Sequence, residues 1–222
     1  MKHFPLDKNY AALLRAYGIS VDELLKRARL PLDMFVRDNP CVTAEEYYRF
    51  MKAIEDIVPD KKMPILLATA DNIETITPPI FGAYCSANAR ECVKRIAQYK
   101  ALAGAIIFGI GEDEQGTTVE IKGEENIEIP EIIIGVEMVL LTNLIRKATK
   151  ENVIPVKITV QKSFVNPEYE QFLGRKAEEG ATNSITFSHT DVEIPFITRN
   201  ESMWSFFEPE LKRRLSEMDT DD

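Results

Sequence analysis

The residues of this chain that could do chemistry are few. Glu137 is the most informative, because it interrupts the apolar run Ile132 to Ile145. Counted as a helix, its face also carries Ile133, Leu140, Leu141 and Leu144, so the carboxylate needs a partner to be tolerated there. That partner is either a basic side chain, Arg95 for example, or a ligand group. Phe81, Tyr84 and Tyr99 offer apolar surface with two polar ends, the make-up of a small-molecule pocket; aromatics at helical spacing also serve as plain packing.

Other chemistries lack their parts. The two histidines, His3 and His189, and three scattered cysteines, Cys41, Cys85 and Cys92, include no HxxxH or CxxC spacing, so a zinc site is not expected and the cysteines read as reduced packing residues. Ser188-His189-Thr190-Asp191 suggests a triad, but no GxSxG accompanies it. Gly109-x-Gly111 lies in a hairpin without the helix that would cradle a phosphate. The expectation is a chain with no catalytic residues, no metal and no cofactor, and hence not an enzyme.

The elements that must position these groups are organised around Pro78 to Gly104, PPIFGAYCSANARECVKRIAQYKALAG. It predicts a buried approach segment, a turn, and one long amphipathic helix. Asn88 with Glu91 forms a capping-box variant at its start, and Gly104 is expected to supply the left-handed residue at its end. Ala89, Cys92, Ile96, Tyr99 and Ala103 define the core face; Arg90, Lys94, Gln98 and Lys100 are assigned to the wet one. Upstream, helices are predicted from Tyr10 to Tyr17, from a Ser20/Glu23 box, and from a Thr43/Glu46 box to Val58. Downstream the period shifts towards two. Ala105 to Ile110 and Thr117 to Lys122 form a hairpin, Val156, Ile158 and Val160 a half-buried strand, and Ser184 to Ser188 another. Pro130 opens a helix apolar around almost its whole circumference, which must be sandwiched. Asn166-Pro167 caps a short helix ended by Gly174, and Asn200 to Met218 forms a terminal helix.

The 222 residues, 45% hydrophobic, suffice for one domain of α+β class: an N-terminal helical layer packed on a small mixed or antiparallel sheet, with a long buried helix. The helical part is expected over about 1–104 and the sheet-containing part over about 105–222. No run is long and apolar enough for a membrane span and the N-terminus lacks a signal peptide, so a cytoplasmic location is expected, with no membrane partner. Net charge is −9, from 27 basic and 36 acidic residues, which disfavours direct DNA or RNA binding. The acidic surplus sits in Glu112-Asp113-Glu114, Glu124-Glu125, Glu178-Glu179 and Asp219-Thr220-Asp221-Asp222, expected as solvated loops and a tail.

Several phrases, in order, resemble the N-terminal effector domain of AraC-type transcriptional regulators, in the arabinose-binding-like branch. They are Gly18-Ile19-Ser20 with Leu24-Leu25 and Leu30-Pro31; Thr43-Ala44-Glu45-Glu46-Tyr47; Phe81-Gly82-x-Tyr84 before the Ala89 to Leu102 helix; Pro167-x-Tyr169-x-x-Phe172-Leu173-Gly174; and Gly180-Ala181 to Ile185-x-Phe187. The resemblance spans almost the whole chain. It implies a domain that binds a small-molecule effector, forms a homodimer, and controls DNA through a C-terminal helix-turn-helix domain that this chain does not contain. Phe81, Tyr84, Tyr99 and Glu137 are the expected pocket lining, between the helical layer and the sheet. The sequence departs from the family at Arg175-Lys176-Ala177-Glu178-Glu179, where a small apolar strand is usual, which puts one sheet edge in question. The alternative is a stand-alone small-molecule or haem-type binding module, which the scarcity of histidine disfavours.

Overall fold

The computed structural model describes residues 2–71, 73–75, 77–124 and 127–220. Glu125, Asp221 and Asp222, assigned above to an acidic cluster and the acidic tail, lie outside the described residues.

Helices α1 (Asn9–Ala16) and α2 (Val21–Ala28) meet at Gly18, whose φ of +74° a side-chain-bearing residue adopts reluctantly. The Ser20 hydroxyl accepts the Glu23 N–H at 3.3 Å. Helix α3 (Ala44–Ile57) opens on a complete capping box, Thr43 Oγ1 accepting from Glu46 N and Glu46 Oε2 from Thr43 N. The short α4 (Met63–Ala68) follows. Pro78 to Tyr84, expected as an approach segment, is itself a helix, α5 (Pro78–Tyr84), with its two prolines in the first turn where their missing N–H groups cost nothing.

Helix α6 (Ala89–Tyr99) is capped by Asn88 Oδ1 on Glu91 N at 3.0 Å. The Glu91 carboxylate reaches the Ala87 N–H rather than closing the box on Asn88. The helix tightens into a 3-10 turn over Lys100–Leu102. Gly104 is extended with φ +151° rather than left-handed helical; a Cβ there would lie 2.7 Å from the Tyr47 hydroxyl, so glycine is needed for close approach as much as for φ.

The hairpin of β3 (Ile106–Glu112) and β4 (Gly116–Gly123) joins β5 (Lys157–Val160), β6 (Glu178–Glu179) and β7 (Ser184–Ser188) in the order β3-β4-β7-β5-β6, antiparallel except for β5 with β6. Ile185 faces both Val119 and Ile158 across the central register, so alternate positions feed one core. Val156, expected on the buried face, is 37% exposed, lies just before β5 and gives its N–H to Thr186. The edge in question exists: Glu178 and Glu179, expected in a loop, pair with β5 over two exposed residues. Such a short, charged edge offers little to another strand. A second, two-stranded sheet pairs Phe4–Pro5 with Cys41–Val42, too short to show a period in sequence.

Helix α7 (Glu131–Thr149) is buried around most of its surface, between α3, α4 and α8 (Glu168–Leu173). The Tyr48 hydroxyl donates to Ala105 C=O at 2.9 Å and accepts the Glu124 N–H at 3.0 Å, tying α3 to both strands of the hairpin base. A short α9 (His189–Val192) leads to α10 (Glu201–Thr220), which lies across α5 and α6. Among the described residues no helix is long and apolar enough to cross a membrane.

Candidate functional site

Glu137 is 5% exposed, and its partner is Lys100, itself 3% exposed, with Nζ 2.6 Å from Oε1. Arg95, the basic side chain suggested by the sequence, is engaged elsewhere: it pairs with Glu91 at 2.9 Å and Glu201 at 3.2 Å and lies 4.2 Å over the Trp204 ring. Lys100 was assigned to the wet face, yet it falls four residues after Ile96 and three before Ala103, both in the core register. That count is the signal that finds it: a lysine on the core face of one element answers an acid on the apolar face of another. The Lys100 ammonium also stands 5.0 Å from the Phe108 ring centroid, a cation–π contact that further offsets its desolvation.

The pair lines a small, partly enclosed cavity of about 70 Å³ among α1, α3, α4, α5 and α7. Tyr10 and Tyr47, whose side chains share a hydrogen bond, line it together with Thr77, Ile80, Leu67, Val136 and Leu140. Burial first, and the Glu137 charge in addition, push both phenols well above their ordinary pKa of 10.0, so they stay protonated. Thr77 is 2% exposed, and its hydroxyl has no hydrogen-bond partner among the described residues. Nearby, Lys147 pairs with the buried Glu74 at 2.7 Å and fixes the 3-10 turn Ile73–Thr75 to α7.

Of the four residues expected to line a pocket, Glu137 lines this cavity, Phe81 and Tyr99 are directed towards α10, and Tyr84 packs against the main core. The ring of Phe81 meets Phe207 edge-on at 5.3 Å. Tyr99 is fully buried, 6.0 Å from Trp204, and accepts a hydrogen bond from Gln98. Tyr84 is half-buried against the core, and its carbonyl accepts from Thr198 at 2.7 Å. The reason is local: because Pro78 to Tyr84 is helical, Thr77 and Ile80 share the cavity face while Phe81 and Gly82 look towards α10. No strand residue lines the cavity, which lies among helices and not between helices and sheet. Thr77 was invisible to sequence reasoning, since an unpaired hydroxyl leaves no pattern.

A second concavity, about 1010 Å³ and open to solvent, runs between the end of α3, the base of β4 and the 161–166 loop. Its polar groups are largely occupied in holding those loops together. Glu131 accepts from Val165 N and Asn166 N, Asn166 donates to Lys61 C=O, Asn183 binds Gln161, and Lys162 pairs with Glu128.

The remaining candidates are placed as follows. The His189 ring is bonded on both nitrogens, to Arg90 at 3.3 Å and to Asp113 C=O at 2.7 Å. Among the described residues no group of His, Cys, Asp or Glu is arranged to hold a metal ion. All three cysteines are free; Cys85 and Cys92 are buried, and burial pushes the Cys92 thiol up to about 12 and raises Cys85 as well. Since only the thiolate reacts, the native chain is expected to release one equivalent of thionitrobenzoate from Ellman's reagent at pH 8, from exposed Cys41, and three in denaturant.

The family described as the arabinose-binding domain of AraC transcription regulator, N-term, matches residues 18–196. A comparison with curated proteins gave no match. Among solved structures, the transcriptional regulator CdpR from Pseudomonas aeruginosa is similar, with a TM-score of 0.61 at 12% identity over 94% of this chain. At that identity the likeness shows the fold. This chain covers 66% of that one, so it spans less than two thirds of its neighbour's length. The match over most of the sequence and the shared α+β fold together show that the chain belongs to the arabinose-binding N-terminal domain family of AraC transcription regulators.

Proposed function

We propose that this domain senses a small-molecule effector in the cytoplasm, associates with a second copy of itself, and controls a DNA-binding domain lying outside this chain. The observation that carries the sensing part is the small cavity: mainly apolar walls, a few polar groups, and a buried Thr77 hydroxyl with no hydrogen-bond partner among the described residues. Ligand sites have this composition, many apolar groups and a few oriented polar ones. Glu137 with Lys100 supplies the charged part of its polar lining. The family name mentions arabinose, but a pentose carries hydroxyls around its ring and needs many polar partners, whereas this cavity is lined mostly by apolar side chains. An effector can act only through unequal affinity for two arrangements of the domain. Self-association is consistent with Phe206, which stands 76% exposed on α10 beside Phe207.

One observation favours a second reading, in which the effector occupies the open cleft: at about 1010 Å³ it is of metabolite size, and the cavity is not. A thermal-shift screen of wild type and Ala68→Leu, which fills the cavity from α4, separates the two. A cavity ligand at a hundred times its Kd is expected to stabilise wild type by about 2.7 kcal/mol, a Tm rise of roughly 5–10 °C for a chain of this length, and to leave Ala68→Leu unmoved. Hits that stabilise both proteins equally move the site to the cleft. A monomer by sedimentation across the micromolar range overturns the self-association.

A further inference from the structure

The charges around the cavity are already balanced. Lys100 neutralises Glu137 and Lys147 neutralises Glu74, each contact within 2.7 Å. A ligand bearing net charge would therefore leave one buried charge uncompensated, or would have to pull the Lys100–Glu137 pair apart, and either exceeds what a single hydrogen bond returns. An uncharged ligand meets no such penalty. The hydroxyl left over is that of Thr77, which can donate as well as accept, so it suits an alcohol, a carbonyl or an amide equally. The lining is otherwise mostly apolar, with Leu67, Val136 and Leu140 in it. Size bounds the rest: about 70 Å³, at the roughly 10–15 Å³ that one water-sized occupant needs, holds about five non-hydrogen atoms.

We propose that the cavity binds a small uncharged amphiphile, a short-chain alcohol, ketone or amide, with its polar end on the Thr77 hydroxyl and its carbon chain against Leu67 and Leu140. This rests on the effector-site reading above and adds the ligand's charge, size and orientation.

The test uses three matched probes on the 222-residue chain, n-butanol, butyrate and n-butylammonium, followed by methyl chemical shifts in NMR titrations. Butanol is expected to shift the methyls of Leu67, Ile133 and Leu140 saturably, and the charged probes to leave them in place. Thr77→Val, which keeps the shape and removes the hydroxyl, is expected to weaken butanol binding by about three- to tenfold, while Thr77→Ser, which keeps the hydroxyl, binds within about twofold of wild type. Because Thr77→Ser reports on the same hydrogen bond, poor folding of the valine variant does not remove the test. If butyrate or butylammonium shifts those methyls at lower concentration than butanol, the neutral-ligand inference is overturned and the cavity stands as a site. If no probe moves them and the shifts fall on Met63 and Ile127 in the open cleft, both the inference and the cavity reading are overturned.

Discussion

Lys100→Met is expected to destabilise the folded chain by about 3–5 kcal/mol, the usual cost of stranding one member of a buried ion pair. The side chains of Lys100 and Glu137 are only 4% and 7% exposed, and apolar residues surround Glu137 on α7. With the ammonium gone, the carboxylate is left in a mostly apolar wall whose phenols, Tyr10 and Tyr47, are already engaged with each other. Urea denaturation at pH 7 measures the loss directly, as a lower midpoint at unchanged slope. The double variant Lys100→Met with Glu137→Leu is the decisive companion. Removing both charges also removes both desolvation penalties, so it is expected to recover to within about 1 kcal/mol of wild type or to exceed it. If the double variant is as unstable as the single one, the two charges are not acting as a pair.

Trp204→Ala carries the second large effect, about 3–5 kcal/mol, and it is expected to be local. Trp204 is 5% exposed and is held from three sides: by the Arg95 guanidinium over its ring, by Tyr99, and by the bare backbone of Gly82. Along the rest of α10, Leu211 is the other fully buried anchor. The main core includes no α10 residue among its fully buried members, so losing the tryptophan frees one helix and leaves the domain folded. Hydrogen exchange should show amides of residues 201–220 losing protection while those of α7 keep theirs. Unchanged protection in α10, or equal loss in both helices, would contradict this division.

Much of the architecture is legible in the sequence because its signals are strong and local. The caps at Ser20, Thr43 and Asn88 place three helix starts, and the all-round apolar pattern of α7 announces a buried helix. What escaped has physical reasons. Two-residue strands such as Phe4–Pro5 and Glu178–Glu179 are too short to show a period. The approach segment Pro78 to Tyr84 is helical because its two prolines fit a first turn. Phe81 and Tyr84 are expected from their residue types to line a pocket; in the wound segment, the face on this cavity belongs to Thr77 and Ile80. Glu137 was recognisable because an acid among isoleucines and leucines is conspicuous. Lys100 was equally readable by helical count but was grouped with surface lysines by its charge.

Helix α5 has only seven residues, and its consecutive positions serve two masters: Ile80 walls the cavity, while Phe81 and Gly82 form the seat of α10. A rod of two turns has no room to flex between neighbours, and a closely packed interface passes displacement on instead of absorbing it. Nor is there slack at the far side, since the place a Cβ would occupy on Gly82 lies 2.9 Å from the Trp204 ring. An occupant that displaces Ile80 is therefore expected to displace the seat of α10 with it, which ties the filling of the cavity to the position of the last helix.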